Sequence, residues 1–273
     1  MEPVSEELVA RAQDGDRTAL EEIVRRIQDR VYGLALRMLY LPADAEDATQ
    51  EILIKVITRL GSFRGESRFE TWVWRVAANH LLTARKSRAE RRELTLDKLA
   101  EEVDRGVAAT WSDTSTEAYQ GLVAEEFQLS CLNALLICLN RDQRLAYILG
   151  DCFEMDSRRG GEILDITPAA FRKRLSRARG RLQNFLGNKC GLMNPDNPCH
   201  CERMAKYNID RGRLDPERMI FATHPARSRP DPEVFRKLPQ VNEVARLTAL
   251  YRYQPDYISP TDFVAEIKAV INA

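Results

Sequence analysis

The sequence contains no apolar run approaching the roughly 18–20 residues a membrane-spanning helix needs, although 44% of it is hydrophobic. Its first residues, Met1-Glu2-Pro3-Val4-Ser5-Glu6-Glu7-Leu8, lack the basic and apolar stretches of a secretory signal. A soluble, cytoplasmic protein is expected. Without a signal, six cysteines in 273 residues argue against a disulfide framework and for reduced thiols or a local metal site. Also missing are a Ser/His/Asp set, a phosphate-binding glycine loop and a His-x-Glu beside Cys-x-x-Cys, so no enzyme is expected. Strand-like alternation is absent as well. The length suits two or three small helical domains, each burying its own core.

Net charge is absent too: 41 Lys and Arg balance 41 Asp and Glu. The zero is an average over segregated blocks. Between Arg64 and Arg92, Arg64, Arg68, Arg75, Arg85, Lys86, Arg88, Arg91 and Arg92 face only Glu66, Glu70 and Glu90. Between Arg158 and Arg181, Arg158, Arg159, Arg172, Lys173, Arg174, Arg177, Arg179 and Arg181 face only Glu162 and Asp165. From Glu93 to Glu126, nine acids stand against Lys98 and Arg105. Two cationic surfaces joined by an anionic strap suit a protein that touches DNA at two places. Solvated helix faces are the plainer reading of such runs, but both cationic blocks coincide with helices that carry motifs.

Apolar spacing predicts a helix from the cap Asp16 to about Tyr40, through Leu20, Ile23, Val24, Ile27, Val31, Leu34, Ala35 and Met38. Leu41-Pro42 breaks it. A second helix is expected from near Asp44 to about Leu60, then a loop, then a third capped by Ser67. After an acidic linker holding Gly106, Ser112, Thr114, Ser115 and Thr116, with a short helix near 94–103, helices resume at Leu122. Asn140 caps a helix to about Phe153, and Asp156 starts a short one ending at Leu164. Thr167-Pro168 supplies an N-cap and an N1 proline for a basic helix to about Leu186. Short helix, tight turn and basic helix form a helix-turn-helix. The expected organisation is all-α: a helical bundle over 1–92, a linker over 93–121, the helix-turn-helix domain over 122–187, and a mostly helical, cysteine-containing extension over 188–273 that is expected to be regulatory.

Three stretches carry chemistry. In Asp44-Ala-Glu-Asp-Ala-Thr-Gln-Glu51, the residues Asp44, Asp47 and Glu51 make an acidic stripe at helical spacing, with Gln50 beside it. Such a stripe can meet a basic coiled coil, or simply complement the helix dipole. In Phe63-Arg-Gly-Glu-Ser-Arg-Phe-Glu-Thr-Trp-Val-Trp-Arg-Val-Ala-Ala-Asn79, glycine allows close backbone approach, aromatics offer stacking faces and arginines reach phosphates. Phe69 and Trp72 equally suit a core, which leaves Phe63, in the loop, as the better base contact. His80 is expected to be a surface or half-buried residue, not a ligand. The third stretch runs from Leu139-Asn-Arg-Asp-Gln-Arg144 through Gly160-Gly-Glu-Ile-Leu-Asp-Ile-Thr-Pro-Ala-Ala-Phe-Arg-Lys-Arg-Leu-Ser-Arg-Ala-Arg-Gly-Arg-Leu182.

Over about residues 15–186 these stretches, in this order, resemble the extracytoplasmic-function (ECF) type of RNA polymerase sigma factor. The resemblance implies that Asp44, Asp47, Gln50 and Glu51 dock on the clamp helices of the polymerase largest subunit. It implies that Phe63, Arg64, Arg68, Trp72, Arg75 and Asn79 open the minus-ten promoter element and hold an unpaired base. Thr167, Arg172, Lys173, Ser176, Arg177 and Arg179 would serve minus-thirty-five DNA, with Phe171 and Leu175 in the core. Arg172 is expected to read a base and Arg179 to hold phosphate. Core RNA polymerase (its clamp helices and flap), promoter DNA and an anti-sigma factor are the partners implied, and no cofactor is required. A polymerase-independent helix-turn-helix regulator is the alternative, but it leaves Asp44–Asn79 without a role. One departure is Arg159-Gly160-Gly161: glycine disfavours a helix by about 1 kcal/mol each against alanine, so a loose or short first helix is expected there.

The extension follows no family pattern closely. Cys131, Cys138 and Cys152 suit core packing. Cys190, Cys199 and Cys201 lie among prolines and glycine, and with His200 or His224 they could supply a zinc ion's four ligands. Metal binding, a thiol switch and packing all remain open on the residues alone. Helix starts are expected at Asp215-Pro216, Asp231-Pro232 and Ser259-Pro260, the last presenting Phe263, Ile267, Val270 and Ile271 on one face.

Overall fold

Ser5 and Asp16 each accept a hydrogen bond from the backbone N–H three residues on, and each starts a helix: α1 (Glu6–Gln13) and α2 (Arg17–Leu39). The computed structural model describes residues 4–109, 117–229 and 242–271. Among them there is helix but no strand, only the isolated bridges Cys190 to Cys199 and Ala226 to Tyr257. The class is all-α. The helix α1 was not expected. Pro42 does not merely end α2: it occupies the first turn of α3 (Pro42–Thr58), where its missing N–H costs nothing. Ser67 does not cap the next helix. Its hydroxyl donates to the Arg68 carbonyl, and α4 (Phe69–Thr83) begins without a side-chain cap.

In the linker, Thr95 caps α5 (Leu96–Ala108), longer than the short helix expected; Ser112, Thr114, Ser115 and Thr116 lie outside the described residues. Then come α6 (Glu117–Ile137) and α7 (Arg141–Tyr147), the latter capped by Asn140 and followed by one π-helical turn, Ile148–Cys152. Asp156 caps α8 (Ser157–Leu164), and Thr167 with Pro168 starts α9 (Pro168–Lys189). The extension supplies α10 (Cys201–Asp210), α11 (Glu243–Arg252) and α12 (Phe263–Ile271). Asp215-Pro216 makes a turn instead of a helix, and Asp231-Pro232 lies outside the described residues. Ser259-Pro260 does not start α12 either. Asp262 does, accepting from the Val264 N–H at 3.1 Å.

Helices α1–α4 pack into one bundle and α7–α9 into another, and the two meet where α4 lies on α8. The core runs unbroken from one to the other. The extension is built into this body. Helix α10 lies on α5 and α6, α11 on the π turn and α9, and α12 on α2. Buried polar groups fix it. The Glu126 carboxylate on α6 accepts three backbone N–H groups, from Ile220, Phe221 and Ala222, at 2.9, 2.8 and 2.7 Å. The His224 ring stacks on Tyr32 and bonds its hydroxyl at 2.8 Å. Arg37, buried in α2, donates to the Pro255 carbonyl at 3.1 Å, and the Tyr251 hydroxyl donates to the Leu132 carbonyl.

Candidate nucleic-acid interface

On α3 the apolar side, Ala45, Ala48, Ile52 and Val56, is buried, which turns the acidic stripe outward. Asp47 and Glu51 are exposed. Asp44 is tied to Arg88, accepting its backbone N–H at 2.9 Å and pairing with its guanidinium at 3.2 Å. Gln50 donates to the Glu266 carboxylate of α12 at 3.0 Å. His80, expected at the surface or half-buried, is buried, with Nδ1 2.6 Å from the Lys55 ammonium. Burial and then that cation push its pKa down.

Between α3 and α4 the chain makes a loop whose shape is dictated by α1. The Gln13 amide donates to the carbonyls of Leu60 and Phe63 at 3.0 and 2.8 Å. Gly65 turns with φ +72°, a conformation only glycine adopts freely. Phe63 is half-buried in a triad with Phe69 and Trp72, ring centroids 5.5 to 5.7 Å apart. Phe69 is a core residue, while Trp72 stays half-buried. Beside the triad opens a cleft of about 760 Å³ whose walls include Phe63, Arg64, Arg68, Arg30 and Arg159. Clefts of roughly 300–1,000 Å³ hold small organic groups. The Nε atoms of Arg30 and Arg159 are buried without a hydrogen-bond partner. Neither arginine stood out as a site residue in the sequence. Arg30 lies in no motif and Arg159 was one of many in a basic run. Asn79 is exposed on α4, whereas Arg75 donates to the Glu162 carbonyl of α8 at 3.0 Å.

In the helix-turn-helix, Phe171 and Leu175 are buried, and Thr167, Arg172, Lys173, Ser176 and Arg177 are exposed along α9. The Thr167 hydroxyl caps the helix, and Arg172 donates to the Ser157 hydroxyl at 3.0 Å. Arg179 is committed elsewhere. Its fork grips the fully buried Asp151 at 2.9 and 2.5 Å.

The two bundles are clasped by Glu90. Its carboxylate takes the Arg141 fork at 2.9 and 2.6 Å and the Arg144 guanidinium at 2.9 Å. Arg144 is almost wholly buried and also donates to the carbonyls of Met38, Leu136, Ile137 and Leu139. Burial pulls the Glu90 pKa upward, but the Arg141 fork, the Ser87 N–H and Arg144 outweigh it and hold it at about 2. Across the same interface Trp74 packs on Phe153 with the rings tilted, centroids 5.1 Å apart.

Cys190 and Cys199 are joined by a backbone bridge, and Cys201 begins α10. His200 is exposed, and its ring lies against Gly191. His224 is occupied by Tyr32. All six cysteines are free, and burial raises the pKa of Cys190, of Cys199 to about 12, and of Cys201 well above the usual value. Among the described residues no group of three or more His, Cys, Asp or Glu could hold a metal ion. Nor is any described helix long and apolar enough to cross a membrane.

An acidic helix face, an aromatic and cationic cleft, and a helix-turn-helix stand on one all-α chain. Residues 23–91 match the family model for sigma-70 region 2. Over 180 residues the chain is 31% identical to the ECF RNA polymerase sigma-E factor of Haemophilus influenzae, covering 65% of this chain and 92% of that one. Identity to the sigma-E factor of Escherichia coli K12 is also 31%, over 181 residues and 91% of that protein. The RNA polymerase sigma-H factor of Pseudomonas aeruginosa is 40% identical over 74 residues, 27% of this chain and 38% of that one. Among solved structures, CnrH in complex with the cytosolic domain of CnrY aligns with a TM-score of 0.42 and 21% identity, over 66% of this chain and 95% of that one. The chain belongs to the ECF sigma factors of the sigma-70 family.

Proposed function

We propose that this sigma factor brings core RNA polymerase to promoters by docking through α3, reads minus-thirty-five DNA with α9, and opens the minus-ten element by trapping an unpaired base in the cleft beside Phe63. The observation that carries the reading is the cleft. Its first-bundle wall pairs an aromatic face with the cations Arg30, Arg64 and Arg68. A base needs a stacking partner and its phosphates need charge. On α9, the exposure of Arg172, Lys173, Ser176 and Arg177 on one side of a helix anchored by Phe171 and Leu175 fits entry into a major groove. A polymerase-independent regulator gives neither α3 nor the cleft a task.

For Cys190, Cys199 and Cys201 we propose packing. Cys199 is buried, and among the described residues no group of three or more His, Cys, Asp or Glu is placed to hold a metal ion.

Run-off transcription with core polymerase, with permanganate probing of the minus-ten strand, tests the main reading. Phe63→Ala should reduce open-complex formation by about tenfold, the worth of one stacked base, while leaving duplex minus-thirty-five binding unchanged. Undiminished strand opening in Phe63→Ala would remove the cleft from the mechanism.

A further inference from the structure

The last described helix, α12, lies on the helix that the proposed function assigns to polymerase docking. Its apolar side is spent on the core, with Phe263, Val264 and Ile267 buried against α2. Its polar side reaches α3. Glu266 accepts the Gln50 amide at 3.0 Å, and Thr261, just before the helix, donates to the Glu46 carboxylate at 2.5 Å. Glu46 and Gln50 are one helical turn apart, on one edge of α3, and their sequence neighbours Asp47 and Glu51 are the exposed acids of the stripe. Lys268 pairs with Glu21 of α2 at 3.0 Å and steadies the far side. A second helix therefore already occupies one edge of the docking face.

The holding forces are unevenly distributed. Upstream of α12 the extension is locked. Tyr257 is buried and bridged to Ala226, Ile258 donates to the Pro225 carbonyl at 3.0 Å, and Pro255 is held by Arg37. From Thr261 onward the polar contacts are exposed or half-buried side-chain pairs, worth little in water. Glu266 also adds an acid to an already acidic edge. A cationic partner gains from the same acids that α12 leaves uncompensated.

We propose that α12 is a lid in cis on the polymerase-docking stripe, closed in this structure, which lifts about the 259–262 segment when the basic coiled coil of the polymerase competes for Gln50 and its neighbours. The proposal rests on the reading of α3 as the docking helix. The lid lowers apparent affinity by keeping only part of the population open.

The test titrates the full-length protein, labelled with a fluorophore, with core RNA polymerase. Ile267→Asp removes a buried anchor of the lid and should tighten binding by about tenfold. Glu266→Lys, an exposed change that cannot empty the core, sets a cation against Glu46. It should hold the lid down and weaken binding by about threefold. Opposite shifts from adjacent positions are not what misfolding produces. Asp47→Ala, which touches no lid residue, reports on the docking reading itself. If Asp47→Ala weakens binding while both lid variants bind like wild type, the lid is refuted and α3 remains the docking helix. If Asp47→Ala binds like wild type, the docking reading fails and the lid fails with it.

Discussion

Gly160 and Gly161 stand in α8 where helix propensity alone favours alanine, yet α8 forms from Ser157 to Leu164. A Cβ at Gly160 would overlap the Phe171 ring, and one at Gly161 would come within 2.8 Å of the Ile166 carbonyl oxygen. These glycines let the first helix of the helix-turn-helix close on the second. Gly160→Ala should therefore destabilise the protein by about 1–3 kcal/mol, the usual cost of overpacking. Urea melts decide it, since propensity alone predicts a gain of about 1 kcal/mol. Arg179 makes a related point. A basic residue in a basic helix reads as a phosphate contact, but the buried Asp151 behind it claims both arms of its fork.

At the scale of elements, α6 changes meaning. In sequence Glu126 is one of nine acids in a strap; in the fold it is a buried anchor that gathers the backbone of 220–222. The adjacent small cluster of Val123, Ala205 and Leu214 seats α10 on the same helix. Glu126→Gln keeps the shape but replaces the charged acceptor with an amide. Hydrogen bonds to charged groups are worth about 1.5–3 kcal/mol, so a loss of about that size is expected in docking of the extension. Hydrogen–deuterium exchange should show loss of protection at 220–222 with α2–α4 unchanged. Equal protection in wild type and variant would mean the carboxylate is not the anchor.

Over the whole molecule, the closed arrangement conflicts with the proposed task. Elements about 25 base pairs apart are separated by about 85 Å along B-DNA, whereas α4 and α8 touch and Arg75 is spent on α8. The bundles must part before both elements are engaged. Glu90 is one group that resists parting. Its pKa is held at about 2, below the ordinary 4.5, so its contribution is complete above about pH 4.5 and is lost as pH falls toward 2. Glu90→Gln leaves the buried Arg144 without its counter-charge and should cost about 3–5 kcal/mol. The wild type should lose stability to urea between pH 4.5 and 2 more steeply than Glu90→Gln. Small-angle scattering at neutral pH should show the variant more extended. Parallel pH profiles and identical scattering would exclude the clasp.

The chain by itself determined its class and its main helices, because helical periodicity, caps at Asp16, Asn140, Asp156 and Thr167, and the Thr167-Pro168 turn act within a few residues. The exposed row on α9 was legible for the same reason: Phe171 and Leu175 mark the buried side and leave the rest to face out. Local pattern could not say that His80 and His224 are buried, that Arg30 and Arg159 meet at one cleft, or that Glu90 holds two arginines from 51 and 54 residues away. Nor could it say which surface receives the apolar side of α12, since an amphipathic helix specifies that it must be covered but not by what. Those outcomes depend on long-range packing, where a charged or apolar group takes whichever partner the folded chain brings within reach. That is why the acidic stripe could be read from eight consecutive residues, while the Gln50–Glu266 bond at its edge is decided only in three dimensions.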